Sequence, residues 1–490
     1  MKPRPKTFFA LVMLLLGLVT LGAFAFSRQV SQGDVVTGMR TLGAGGAVWG
    51  LYVVMDGFLL GTGIVVMAAA CLARFSRDKS LEALARIAMP VAIACFLGAA
   101  LSVMADQGRP LPALMNLSLF ARPQSPFFVT FTTVAGVCLY GSLIHCVLAC
   151  RPDLAAHAKI PSRWQPLQRL LAAHYTGSVA QRYRRQKVSF WMSLLMLPAL
   201  LATLTALAII FTVRPGRPLG LTLVEVVAFF LQAVTGGLGA LVGATALVEY
   251  FAGPAAGLAA AGYLRLGRSL LVAVSLSLLS WVGSEWLGLA SKEPAAVNYA
   301  KALLVDRGYA PLFWTALGCL FVSAALLWHA AYRDVLRPRI VVGAGILAQL
   351  GVLLHRYLLL VAWQTHGLSL PYGPGNYRPT WIEAAVVLGI VAFCSLLLLP
   401  AVRLIPFVPA TPAGPLIPSA AQAQRRALVT AIWCGTGLAA TTVGLAFSFR
   451  LGTDSFLDPA LTASPVMFIA GLAMVATTGA VYELFPDPRA

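Results

Sequence analysis

The sequence predicts an all-α, polytopic membrane protein of about twelve transmembrane helices, and three observations carry that prediction. The 490 residues are 59% hydrophobic and only 11% charged, with a mean hydropathy of +0.82. A soluble chain carries about a quarter charged residues, so a water-soluble globular enzyme is excluded. Disorder, which needs low hydrophobicity and high charge, is excluded with it. The apolar residues also fall into runs of the length that crosses a hydrocarbon layer, about 20 helical residues for about 30 Å. Finally, Lys and Arg gather between alternate runs, as they do in multi-pass proteins.

In chain order, spans are expected near 7–26, 46–74, 84–105, 126–149, 188–213, 219–250, 265–290, 310–332, 339–363, 380–407, 427–448 and 463–484. The leading helix, 7–26, follows Lys2, Arg4 and Lys6. Its apolar run exceeds a typical signal-peptide core, although Ala23-Phe24-Ala25 resembles a cleavage site. With the amino terminus in the cytoplasm, 24 of the 36 Lys and Arg residues fall on the cytoplasmic side and 11 outside, and Arg356 lies within a span. This asymmetry places both termini on the cytoplasmic face, and the expected location is a bacterial plasma (inner) membrane. It also accounts for the net charge of +19 without nucleic acid as a partner. The segment 150–187 reads as one long cytoplasmic loop, basic enough to lie on anionic lipid headgroups.

The second span carries Gly57, Gly61 and Gly63, and the sixth carries Gly236, Gly237, Gly239 and Gly243. Each contains a GxxxG step, which lets helix backbones approach closely in lipid. Each also opens a set of four spans, so the chain reads as two four-helix bundles side by side, 46–213 and 219–363. An additional helix at 380–407 and a C-terminal helix pair within 427–484 follow. The eight cysteines form no CxxC or iron–sulfur spacing and read as small buried helix residues.

Ionisable residues at depth in a membrane usually mark function, because each costs something like 2.5–3.5 kcal/mol to insert. The topology places Asp56, Asp106, Glu225, Glu285, Glu383, His355 and Arg356 toward the outer side, and His145, Glu249 and His329 toward the inner side. The outward group suggests a polar pocket that exchanges protons with a lipid-soluble molecule. The plainer alternatives are that Asp106 and Glu383 snorkel at the interface, and that Arg356 pairs with Asp56 or Glu285 to tie the two bundles. His355 and Arg356 are adjacent on a helix and must point in different directions. No pair of histidines suggests a haem clamp, and neither metal nor haem is expected in this chain.

Several segments then carry a resemblance. Trp49-Gly50-Leu51-Tyr52, Asp106-Gln107-Gly108-Arg109-Pro110 and Arg122-Pro123-Gln124-Ser125-Pro126 resemble the polysulfide-reductase membrane-subunit (NrfD-like) family. Arg356-Tyr357 and Tyr377-Arg378-Pro379-Thr380-Trp381-Ile382-Glu383 are similar to its longer branch, which includes hydrogenase membrane subunits and the quinol-oxidising subunits of alternative complex III. Gln107 and His355 depart from the family pattern, standing where an apolar residue and an acid are usual. The resemblance spans about 46–407. It implies a subunit without redox cofactors of its own that binds menaquinone or ubiquinone, as quinone or quinol, near the outer face. A ferredoxin-like iron–sulfur subunit would dock there and relay electrons to or from a molybdopterin or multihaem cytochrome subunit. Under this reading Asp106, Asp56 and Arg356 carry the chemistry, with Arg356 balancing carboxylate charge. Trp49, Tyr52, Gln107, Arg109 and His355 line the quinone site, and Glu225, Glu285, Glu383 and His145 serve proton paths. The rival readings are a secondary transporter, whose site should lie at mid-depth between broken helices, and a purely structural anchor for an extracytoplasmic enzyme.

Overall fold

The computed structural model describes residues 5–39, 47–75, 79–108, 138–159, 161, 164–172, 175–212, 219–252, 260–333, 337–366, 377–404, 428, 430–443, 474–475 and 478. Among these the regular structure is entirely helical, as a lipid-embedded chain requires. With no water to satisfy them, backbone N–H and C=O groups must be paired within each crossing segment.

Helix α1 (Pro5–Gln32) leads into a short 3-10 turn, Asp34–Val36. Then come α2 (Leu51–Phe75), α3 (Lys79–Asp106), α4 (Ser142–His157), α5 (Gln165–Ala172), α6 (Val179–Thr212) and α7 (Leu219–Ala252). The remainder is α8 (Ala260–Leu289), α9 (Pro294–Val305), α10 (Ala310–Tyr332), α11 (Pro338–Tyr357), a π-helical segment Leu358–Ala362, α12 (Trp363–His366) and α13 (Trp381–Leu404). Nine helices among the described residues are long and apolar enough to cross a membrane: α1, α2, α3, α6, α7, α8, α10, the α11–α12 run and α13. The expected spans at 126–149, 427–448 and 463–484 fall wholly or partly outside the described residues.

The chain divides into two compact units. One comprises Met1–Val66, Ala94–Pro110 and Leu204–Leu398; the other comprises Met67–Ile93, Leu111–Thr203 and Leu399–Ala490. In the first unit, α7 packs on α8 and α11, and α10 packs on α8 and α11. The glycines explain how closely the α2 and α7 helices meet. A Cβ on Gly61 would touch Ala233 Cβ at 3.4 Å, and one on Gly237 would stand 2.5 Å from Val65 Cγ1. Across the other side of α7, a Cβ on Gly239 would lie 2.9 Å from the Gly345 carbonyl of α11. In lipid, where apolar burial does not drive helices together, such backbone contact is what holds them. Helix α1 uses the same device against α13, because a Cβ on Gly22 would sit 2.8 Å from Gly389 Cα.

In the second unit the stretch expected to be a basic loop, 150–187, is instead largely helical. It supplies the end of α4, all of α5 and the start of α6. Several of its charges turn inward rather than toward headgroups. Arg151, Asp153 and Arg184 are buried. Asp153 pairs with Arg86 at 2.9 Å, Arg151 donates to the Ala172 carbonyl at 3.2 Å, and Arg185 donates to that of Ala149 at 3.0 Å. The Arg151 bond satisfies a carbonyl at the end of α5 that has no partner within its own helix.

Candidate functional site

Four helices meet at one end of the first unit, where α2 and α13 begin and α1 and α3 finish. Apolar contact fixes them: Ala25 of α1, Tyr52 and Met55 of α2, Ala105 of α3, and Ile382, Ala385 and Val386 of α13 form one buried cluster. Into this frame the sequence inserts polar groups, and they divide into a saturated set and an unsaturated one.

The saturated set centres on Glu383, which is fully buried. Its Oε1 accepts from the Tyr377 hydroxyl at 2.6 Å, and its Oε2 accepts from the Gly38 N–H at 2.8 Å and the Thr380 N–H at 2.9 Å. Thr380 is the N-cap of α13 and Glu383 its third residue, so the carboxylate reaches back to the cap N–H in half of a capping box. The Tyr377 hydroxyl in turn accepts from the Leu51 N–H at 2.7 Å, which ties the start of α2 to the start of α13. Burial, and then the Glu383 carboxylate, push the Tyr377 hydroxyl above the ordinary phenol range. Glu383 therefore does not snorkel at an interface, and its oxygens are committed to structure.

A second clamp holds Trp49. Gln364 Oε1 accepts from the Val48 and Trp49 N–H groups at 2.9 and 3.0 Å, while its Nε2 donates to the Trp49 carbonyl at 3.0 Å and that of Leu360 at 2.7 Å. The Trp49 ring stands edge-on to Phe211 at 5.8 Å, and Phe211 continues to Phe229 at 6.0 Å. Gly57, next to Asp56, makes room for this row, since a Cβ there would meet the Phe211 ring at 2.8 Å.

The unsaturated set is Asp56 and Asp106. Among the described residues neither carboxylate has a hydrogen-bond or ion-pair partner, and Asp106 Oδ1 is buried. The two acids lie within electrostatic range of each other, and Asp106 is also acted on by Asp34 and Glu383. A buried polar atom left without a partner costs about 1–3 kcal/mol, so such atoms call for a functional explanation.

Arg356 departs from expectation. It is 1% exposed, yet it pairs with neither Asp56 nor Glu285. Its guanidinium lies 3.2 Å from the centroid of the Phe229 ring, and Nη2 donates to the Phe229 carbonyl at 2.9 Å. The negative face of the ring and a carbonyl oxygen take the place of a carboxylate. Nε and Nη1 remain without partners, as do both side-chain polar atoms of fully buried Gln232. Gln232 lies one turn beyond Phe229 on α7.

The other candidates are distributed as follows. Tyr52 is fully buried and its hydroxyl donates to Gln29 Oε1 at 2.7 Å, so its ring does not line an open pocket. His355 turns away from Arg356 and packs edge-on to Trp281 at 4.3 Å. Gln107 is exposed at the end of α3, and Arg109 lies outside the described residues. Glu225 and Glu285 are buried and partnered, and neither is among the charges acting on Asp56 or Asp106. His145 belongs to the second unit, where its Nε2 lies 3.4 Å from Ser193 Oγ.

Sequence reasoning missed Gln29, Asp34, Phe211, Phe229, Gln232 and Gln364. Only Glu383 had a readable local signal, the Thr-x-x-Glu spacing at a helix start. The others are single polar or aromatic residues whose partners come from distant helices.

Two comparisons with known proteins bear on this arrangement. The family model described as polysulphide reductase, NrfD, matches residues 41–366. A protein of Halobacterium salinarum described as a membrane subunit of dimethyl sulfoxide reductase is 26% identical over 424 residues, which cover 82% of this chain and 91% of that protein. The region matched by the family model takes in Trp49, Asp56, Asp106 and Arg356 but neither α1 nor α13. The chain is a multi-pass integral membrane protein, and it belongs to the NrfD polysulphide reductase family.

Proposed function

We propose that the chain is the quinone-reactive membrane subunit of a multi-subunit reductase, binding quinone or quinol at the Asp106 end of the first unit. This end would be the outer one, in the orientation that the Lys and Arg distribution favours. Quinol oxidation releases two protons and two electrons. The electrons pass to an iron–sulfur partner subunit docked at that end, and Asp106, with Asp56 behind it, accepts protons from the ring oxygens. The half-buried Trp49 ring, backed by Phe211 and Phe229, provides ring surface for the head group. Aromatic stacking of this kind is worth about 0.5–1.5 kcal/mol beyond area burial. Running the cycle in reverse, the same acids deliver protons to a quinone.

One observation carries this reading: two carboxylates within electrostatic range of each other have no partner among the described residues and one has a buried orphan oxygen, while Gly57, next to Asp56, lies against the Phe211 ring of an aromatic row. A structural role would have saturated them, as it saturates Glu383.

The test uses the intact complex in membranes, a fluorescent hydroxyquinoline-oxide quinone analogue and steady-state quinol turnover. Asp106→Asn should assemble normally, bind the analogue and lose about 10²-fold in turnover, the size of effect general acid–base catalysis supplies. Wild-type turnover in that variant removes Asp106 from the chemistry. A wild-type complex that shows no saturable binding of the analogue makes the chain an anchor.

A further inference from the structure

We propose that Asp34, held in place by Gln29, is the solvent-side proton relay for Asp106, so that the end of α1 forms part of the reactive site. This inference rests on the quinone reading above and extends it to residues that precede the family match at 41–366.

Gln29 is fully buried near the end of α1. Its amide makes three bonds to three different segments: Nε2 donates to Asp34 Oδ1 and to the Ala105 carbonyl, each at 3.1 Å, and Oε1 accepts from the Tyr52 hydroxyl at 2.7 Å. One side chain thereby fixes the Asp34 carboxylate, the residue preceding Asp106 and the hydroxyl of α2. Gly108, two residues after Asp106, has a left-handed φ of 62°, and a Cβ there would stand 2.5 Å from Asp34 Oδ1. The chain leaving α3 therefore lies directly against that carboxylate, at a position whose left-handed backbone favours glycine. Asp34 itself is exposed, whereas Asp106 is partly buried with an orphan Oδ1.

The other groups facing the pair are Glu383 from α13, Tyr52 and Asp56 from α2, and Gln29 from α1. None is cationic, and among the described residues neither Asp34 nor Asp106 has an ion-pair partner. Among the described residues no fixed positive charge competes with an arriving proton for the Asp106 carboxylate. In the relay, a quinol O–H bond breaks and its proton passes to the Asp106 carboxylate, while the electrons leave to the iron–sulfur partner. The Asp106 O–H then passes its proton through one bridging water to the Asp34 carboxylate, and Asp34 releases the proton to bulk water. Both carboxylates return to their starting charge.

The test compares wild-type, Asp34→Asn and Asp34→Glu complexes in native membranes. It measures quinol kcat and KM, analogue affinity, and turnover with added small weak acids. Asp34→Asn should lower kcat about tenfold, within the reach of a lost acid–base group, with KM and analogue affinity unchanged. Weak acids should restore much of that loss, and Asp34→Glu should retain more than half of wild-type kcat. Wild-type kcat in Asp34→Asn overturns the relay and leaves the quinone reading intact. So does a loss that neither weak acids nor glutamate recovers, because that is a structural defect. A wild-type complex that neither binds the analogue nor oxidises quinol overturns the quinone reading, and the relay with it.

Discussion

Glu383 and Asp106 stand at the same end of one helical unit and act on each other electrostatically, yet the protein holds them in opposite ways. Glu383 is the more deeply buried, and three donors from Gly38, Tyr377 and Thr380 occupy its oxygens. Asp106 is less buried and has an oxygen with nothing bonded to it. The difference teaches that burial of an acid in a membrane helix does not by itself mark chemistry. What separates a structural carboxylate from a reactive one is whether its hydrogen-bonding capacity is already used. Arg356 extends the point to a cation, since its contact with Phe229 uses one face and one N–H and leaves Nε and Nη1 open.

The contrast breaks most visibly at the saturated acid. Glu383→Ala strips the acceptor from three donors at once, and at about 1–3 kcal/mol for each unsatisfied group the loss is on the order of 5 kcal/mol. Yield of folded protein and melting in detergent should both collapse. If that variant melts normally and only turns over slowly, the division between the two acids is wrong.

A smaller effect is expected where backbones touch. Gly22→Leu places side-chain carbon against Gly389 Cα, which cannot yield cheaply, and should destabilise by about 1–3 kcal/mol. Protease access to α1 in the variant reports whether the helix detaches from α13. Unchanged protection would show that the contact is dispensable.

Tyr377→Phe removes one donor to Glu383 and one acceptor for Leu51, at about 1–2 kcal/mol. It also alters the response to alkali. The folded hydroxyl titrates above its unfolded value of about 10, so its contribution is complete below pH ~10 and fades as pH rises beyond it. Melting of the wild type should fall more steeply than that of the variant between about pH 10 and 11. Parallel curves would mean the hydroxyl is not so held.

The smallest change is expected at the unsaturated acid. Asp106→Asn breaks no bond and removes a charge facing Asp34 and Glu383, so its melting should match the wild type within about 0.5 kcal/mol. A large drop would make Asp106 structural too.

The sequence made the helices legible because hydropathy and Lys/Arg asymmetry are summed signals, carried by many residues along each span. The small-residue steps at Gly61 and Gly237 were equally readable, and the structure places them in helix contacts. Pairings between distant residues were not. Opposite charges at Arg356 and Asp56 suggested an ion pair, but sign gives no distance, and a phenyl face competes for a guanidinium. The charges of 150–187 were counted as exposed because composition does not tell inward from outward on a short helix. Gln29 and Asp34 gave no signal, being ordinary polar residues after an apolar run.

The π-helical segment Leu358–Ala362 lies between Arg356 and Gln364. A π turn holds one more residue than an α turn, and each helical residue advances the azimuth by about 100°. Winding all five residues of 358–362 as ordinary α-helix would swing Gln364 about a quarter-turn away from the Trp49 backbone it now grips, while Arg356 kept its seat; deleting one of them as well would leave Gln364 near its present place. That one-residue wedge is therefore the phase setter of the helix, and the placing of Trp49 depends on an irregularity in the ladder that aims the Gln364 side chain.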